Sequence, residues 1–246
     1  MGEQITQDAA QKSASDTCVK IAVFDFDGTC IEGNSPVILV KHLASEHMLD
    51  KRELLHIISW AFRYKFHLPQ TEHKVRRRVF SAFKGKRVEV VDTYLAHFYY
   101  DKIKPLWRAE AIEQIDRLRG EGFVIIAVSA TFEPIVRCAL NDGLYDYQVS
   151  TIMRTTPDGR YTDEVEGKPI EGEEKVFAIK RLADEKFGEG NWELSYCFAD
   201  HYSDIDVLSS AKNPVAVTPD STLRRCATRN GWAIVSWGGE ANGRRR

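Results

Sequence analysis

Apolar residues follow two rhythms along this chain. Some form short unbroken runs that end abruptly in polar or small residues, the pattern of strands buried on both faces. Others recur at intervals of three and four, the pattern of a helix with one buried side. Val19-Lys20-Ile21-Ala22-Val23-Phe24 is the first such run, ending at Asp25 with Gly28 close behind. It predicts a buried parallel strand that delivers polar residues at its C-terminal end, where open α/β sheets bind their ligands. From Ser35 the rhythm changes: Ser35 can cap a helix, Pro36 suits its first turn, and Val37, Val40, Leu43 and Ala44 share a face. Asp50 with Glu53 reads as a capping box ahead of Leu54, Leu55, Ile58 and Phe62, and Pro69 ends that helix. Two further segments, around Val75 to Phe83 and Val88 to Phe98, keep the helical spacing. Residues 35–104 therefore predict an all-helical insert of about four helices.

After Pro105 the rhythms alternate. A helix over Trp107 to Arg119 leads to a strand over Phe123 to Val128 and a helix over Glu133 to Leu140. Pro157-Asp158-Gly159, between strand-like runs, predicts a β-hairpin within Tyr147 to Glu166. Helices over Glu173 to Phe187, Ile205 to Ala211 and Ser221 to Arg229 then alternate with strands over Ser195 to Ala199, Pro214 to Val217 and Trp232 to Ser236. Such alternation predicts a three-layer α/β fold on a parallel sheet. The expected division is a flexible tail over 1–17, an α/β core over 18–34 and 105–240, and the helical insert over 35–104. No internal repeat is visible.

A hydrophobic share of 43% over 246 residues suits a folded domain of this size. The net charge of -2 gives no general reason to expect nucleic acid as a partner. Five scattered cysteines (Cys18, Cys30, Cys138, Cys197, Cys226) without C-x-x-C spacing argue against a disulfide framework or zinc site and point to a reducing, cytoplasmic setting. No apolar stretch approaches a membrane span, and the first residues lack the order of a signal peptide. Assembly state is left open.

Chemistry concentrates at the predicted strand ends. Asp25-Phe26-Asp27-Gly28-Thr29 can turn two carboxylates into one pocket, one as nucleophile and the other as acid/base. Phosphate esters repel carboxylates, so this pairing needs a divalent cation and further acidic ligands. Ala199-Asp200-His201-Tyr202-Ser203-Asp204 follows another apolar run and offers oxygen donors suited to magnesium. His201 between them is a poor magnesium ligand and reads as a surface or substrate-contacting residue. Val128-Ser129-Ala130-Thr131 runs from a strand toward a helix N-terminus, a combination that can donate hydrogen bonds to a phosphoryl group. Ser129 can equally cap that helix. Lys175 can add positive charge to the same group, and Lys168 competes with it. Basic residues from Lys74 to Arg87 read mainly as a solvated helix face, and Trp60, Phe62, Tyr64 and Phe66 mix core and surface positions.

Asp25-x-Asp27-Gly28-Thr29, Ser129, Lys175 and Asp200-x-x-x-Asp204, in that order, resemble the motifs of the haloacid dehalogenase-like phosphatases, in particular the phosphoserine-phosphatase-like subfamily with a C1-type helical cap. The resemblance spans roughly residues 19–236. It implies a Rossmann-like core beneath the insert and magnesium-dependent hydrolysis of a small phosphorylated substrate. By it Asp25 is nucleophile and magnesium ligand, and Asp27 is acid/base and a ligand through its carbonyl. Ser129 and Lys175 hold the phosphoryl group, Asp200 ligates magnesium, and Asp204 supports the metal site. Thr29, Ala130 and Thr131 are further phosphate contacts. Where phosphoserine phosphatases place a glutamate for the substrate's amino group, this chain has Asn34, which argues against phosphoserine; Arg78 matches their carboxylate-binding arginine. Phosphoryl transfer to another alcohol, or a non-hydrolysing module that binds phosphorylated ligands, are the alternatives. Retention of Asp27 speaks against the last.

Overall fold

The computed structural model describes residues 18–49 and 79–238. The expected tail 1–17, the helix opened by Asp50, the aromatic group Trp60 to Phe66, Arg78 with the basic residues before it, and the C-terminal residues 242–246 lie outside them.

β1 (Val19–Asp25) is the pivot of the architecture. Its side chains alternate in the way a doubly covered strand requires. Ala22 and Phe24 join the apolar cluster on one face of the sheet, Ile21 and Val23 the cluster on the other, and all four are fully buried. Burying a side chain such as Phe24 or Ile21 contributes about 2 kcal/mol each, and Phe24 gains a further stacked contact with Phe198 at 4.4 Å. The chain continues through α1 (Ser35–Ser45), α2 (Val88–Phe98), α3 (Ala109–Gly120), β2 (Val124–Phe132), α4 (Glu133–Asn141) and β3 (Tyr147–Thr151). A hairpin of β4 (Met153–Thr155) and β5 (Tyr161–Val165) precedes α5 (Glu173–Phe187), β6 (Trp192–Ala199), α6 (Ile205–Ser210), β7 (Asn213–Val217), α7 (Ser221–Asn230) and β8 (Ala233–Val235).

The main sheet has the strand order β3-β2-β1-β6-β7-β8, and every pairing in it is parallel. From β1 the chain builds outward through β2 and β3, then crosses back to lay β6 on the free side of β1. The order therefore reverses between β1 and β6, and the crevice above their C-terminal ends is the expected ligand site of such a sheet. Residues of α3 and α4 pack on one face (Ile115, Ile135), and those of α5 to α7 on the other (Ile179, Val207, Leu223). This is the expected three-layer α/β arrangement. The described parts of the helical insert share the first cluster: Phe80 stacks on Phe132 at 3.8 Å, and Phe83 and Phe98 are buried beside them.

Several details differ from the sequence reading. Asn34, rather than Ser35, caps α1, its Oδ1 accepting the Val37 N–H at 3.1 Å. Asn and Ser are both strong cap formers, so their adjacency made the choice ambiguous. The run from Tyr147 does not belong to the hairpin: β3 joins the main sheet, and the hairpin begins at Met153, with Pro157-Asp158-Gly159 in its connecting turn. β2 continues past Ser129 to Phe132, so Ser129 does not cap α4; Phe132 occupies that position without a side-chain bond. The helix expected from Trp107 starts at Ala109, after a π turn over Tyr99–Ile103 and a 3-10 turn over Lys104–Leu106.

Candidate active site

β1 ends on Asp25, and the chain then folds back on itself: Cys30 and Ile31 donate their N–H groups to the Phe26 carbonyl at 3.0 and 3.1 Å, and Gly28 donates to Gly33 at 2.8 Å. Gly28 has φ +76°, and a Cβ there would lie 2.1 Å from Asp200 Oδ2. Glycine is required twice, for the backbone conformation and for the approach of the Asp200 carboxylate. Asp200 follows β6, the neighbour of β1, so two strand ends place two carboxylates at the point where the sheet order reverses.

Asp204 follows in a 3-10 turn and is 3% exposed. Lys175, third residue of α5 and 4% exposed, reaches the same cluster. Its Nζ lies 2.7 Å from Asp25 Oδ1 and 2.6 Å from Asp204 Oδ1. Lys168, the competitor, is 78% exposed at its side chain and reaches Glu174 at 3.8 Å, so it stands outside this cluster. Burial alone would lower the Lys175 pKa, but Asp25 and Asp204 hold it above its ordinary value. Burial pushes the Asp25 carboxyl well up, aided by Asp204 and Asp200 and opposed by Lys175. Asp200 is pushed up to about 6, by burial first and Asp204 next.

Ligand atoms of Asp25, Asp200 and Asp204 all lie within 4.8 Å of one another. Three carboxylates face the single ammonium of Lys175 in this cluster, leaving two negative charges uncompensated when all are ionised. The donors are all oxygens. Excess negative charge and hard donors together fit a divalent metal ion. Thr29, fully buried, approaches Asp200 Oδ1 at 3.2 Å and Asp25 Oδ2 at 3.4 Å, so its hydroxyl serves the carboxylates.

Asp27 is held differently. Its Oδ1 accepts the Ser35 N–H at 2.5 Å and its Oδ2 accepts the Thr131 hydroxyl. Burial raises its pKa, with the Thr131 and Ser35 hydrogen bonds opposing. Ser129, 1% exposed, accepts the Thr131 N–H at 3.0 Å through Oγ, while Ala130 is partly exposed. Asn34 is exposed, with its side-chain oxygen engaged at the α1 cap. His201 contacts Ser203 through Nδ1 at 3.0 Å and is exposed.

Two contributors were missed in the sequence. The position of Ser35 ahead of Pro36 predicts a helix cap and nothing more. Asp220 donates its N–H to the Asp200 carbonyl at 2.9 Å and accepts the Tyr202 N–H through Oδ2 at 2.7 Å, so it braces the Asp200 loop while its Oδ1 caps α7. Its position before Ser221 was the available signal.

Sheet, crevice and acidic cluster around a buried lysine describe an α/β fold with a candidate metal-binding active site at its strand ends. The chain belongs to the haloacid dehalogenase-like hydrolases, whose family model matches residues 22–209. It is 30% identical over 220 residues to the inhibition of morphological differentiation protein of Streptomyces azureus, covering 88% of this chain and 78% of that one. It is 25% identical over 228 residues to a histidinol-phosphatase of Neisseria meningitidis, covering 88% and 98%. Among solved structures, a Bordetella pertussis protein of unknown function shares the fold with a TM-score of 0.78 at 23% identity, covering 89% of this chain and 99% of that one. A substrate-bound phosphoserine phosphatase does so with a TM-score of 0.60 at 20% identity, covering 89% and 92%. Among the described residues no helix is long and apolar enough to cross a membrane.

Proposed function

We propose that this protein is a magnesium-dependent phosphatase that hydrolyses small phosphomonoesters through an aspartyl-phosphate on Asp25. The observation that carries the reading is the buried Lys175 bridging Asp25 and Asp204 with Asp200 alongside. A surface ion pair would need neither this burial nor the close approach that Gly28 permits.

Lys175 engages Asp25 Oδ1, leaving Oδ2, whose contact with Thr29 is 3.4 Å, as the freer nucleophilic oxygen. This oxygen attacks phosphorus; the ester P–O bond breaks, its electron pair stays on the leaving oxygen, and Asp27 supplies the proton. Water then attacks the same phosphorus and gives a proton to Asp27. The bond to Asp25 breaks, restoring its carboxylate and releasing phosphate. Lys175 and the Ser129 hydroxyl, which accepts from Thr131 and keeps its own proton to donate, would hold the phosphoryl oxygens. Asp25, Asp200 and the Asp27 carbonyl would hold magnesium, with Asp204 supporting from beside it. When bound, that ion neutralises the charge between carboxylate and phosphate.

The histidinol-phosphatase and the phosphoserine phosphatase carry different substrates in their names, so likeness to them leaves the substrate of this chain open. Asn34 is neutral and its oxygen is occupied at the α1 cap. It offers no carboxylate for a substrate ammonium, which supports a substrate other than phosphoserine. The test is phosphate release from p-nitrophenyl phosphate with magnesium, with EDTA, and with Asp25→Asn. The reading requires activity that depends on both the metal and Asp25; activity that survives Asp25→Asn would overturn it.

A further inference from the structure

Asp27 sits in a closed ring of hydrogen bonds formed by two residues from distant parts of the chain. Ser35, first residue of α1, gives its backbone N–H to Asp27 Oδ1, while Thr131, near the end of β2, gives its hydroxyl to Oδ2. The two hydroxyls also touch, Ser35 Oγ to Thr131 Oγ1 at 2.9 Å. Either hydroxyl can donate in that contact; once Asp27 is ionised it solely accepts, and with Thr131 donating to it the Ser35 hydroxyl is free to donate to Thr131. Ser35 therefore acts on both oxygens of Asp27, directly through its N–H and indirectly through Thr131.

The location makes the ring informative. Ser35 is 0% exposed and Thr131 1% exposed, and a buried hydroxyl is costly unless bonded. Neither hydroxyl caps α1 or α4: Asn34 and Phe132 occupy those positions. The backbone N–H of Thr131 is separately used by Ser129. The contacts left for these two hydroxyls are each other and Asp27.

We propose that Ser35 and Thr131 are positioning residues that hold the ionised Asp27 carboxylate in the orientation needed to take a proton from the hydrolytic water. The proposal rests on the phosphatase reading and assigns the two hydroxyls to its second step. Two donors, one on each oxygen, fix the plane of the carboxylate once it has given its proton to the leaving group. The first step, with a leaving group as good as p-nitrophenolate, needs little proton donation and should be largely insensitive to the ring.

The test is steady-state hydrolysis of p-nitrophenyl phosphate with magnesium, together with the fraction of acid-quenched enzyme that carries phosphate. General acid/base assistance is worth about 100-fold or more, and loss of orientation forfeits part of it, so Thr131→Val should lower kcat by about 10- to 100-fold. KM should fall with it, leaving kcat/KM within about 3-fold of wild type, and phosphoenzyme should accumulate. Thr131→Ser should restore kcat to within about 3-fold. Ser35→Ala, which keeps the backbone donor, should show the same pattern at about 3- to 10-fold and serves if Thr131→Val unfolds. A merely structural role would lower kcat/KM without phosphoenzyme build-up, and that result, or unchanged kcat in both variants, overturns the proposal. Wild-type enzyme that hydrolyses neither this ester nor acetyl phosphate overturns the phosphatase reading and the proposal together. Activity lost in Asp25→Asn but indifferent to Thr131→Val and Ser35→Ala overturns the positioning role alone.

Discussion

Gly28→Ala is the smallest change that should disable the site, and its cost can be worked from geometry. The new methyl carbon would lie 2.1 Å from Asp200 Oδ2. A carbon and an oxygen in contact need about 3.3 Å, so the carboxylate must retreat by about 1.2 Å. Asp200 cannot shift freely, because Thr29 holds its Oδ1 and Asp220 holds its carbonyl. Displacements of about 1 Å at a reacting centre can cost about 100-fold in rate. Alanine at φ +76° adds about 1–2 kcal/mol of backbone strain. For a chain of this size that corresponds to a melting temperature lower by about 2–8 °C. Phosphatase activity measured across a magnesium titration, alongside a thermal melt, separates the two effects. The expected outcome is turnover about 100-fold lower and a midpoint at higher magnesium, in a protein that still melts cooperatively. Wild-type turnover with an unchanged magnesium midpoint would refute the argument that Gly28 makes room for the Asp200 carboxylate.

Two further expectations concern stability. Lys175→Met leaves Asp25 and Asp204 facing each other without their shared ammonium. Breaking a buried pair costs about 3–5 kcal/mol, and Lys175→Met combined with Asp204→Asn should recover part of it, read as midpoints of chemical denaturation without metal. Glu133, beside Arg137 and Gln148, has its pKa raised above the ordinary 4.5 mainly by burial. A raised acid binds its proton more tightly when folded, so its contribution is fully present below pH 4.5 and lost as pH rises through the folded value. Glu133→Gln lacks this loss, so the stability difference should move in favour of the variant as pH rises from 4.5 toward 7. A difference that is flat with pH in denaturation series would contradict the burial argument.

The legible parts of this protein are those written locally. The run from Val19 to Asp25 announces both a doubly buried strand and the carboxylate at its end, because strand register and chemistry lie within a few consecutive positions. Lys175 could be preferred over Lys168 from its spacing ahead of Val176 and Ile179, and the structure separates the two completely. The ring around Asp27 was not legible. Ser35 and Thr131 lie 96 positions apart, and a buried serine has the same local signature as a capping serine. The end of β2 was missed for a related reason. Polar residues normally mark a strand's exit, but Ser129 and Thr131 are polar because the strand enters the site. Tyr147 to Thr151 likewise looked like half of a hairpin, since nothing local distinguishes a strand that pairs with its successor from one that pairs with β2.

The order of strands also sets a timetable for synthesis. β1 can pair with β2 once Phe132 has been made, but its other edge waits for β6, which ends at Ala199. The interval is 199 − 132 = 67 residues, or about 3–13 s at typical elongation rates of about 5–20 residues per second. Throughout it, a strand rich in fully buried aliphatic positions keeps an open edge of unpaired backbone groups, the template on which strands of other chains can add. The interval closes when β6 docks, and that event also carries Asp200 to the end of β1. Docking of β6 thus covers this edge of β1 and brings Asp200 beside Asp25 in the same event.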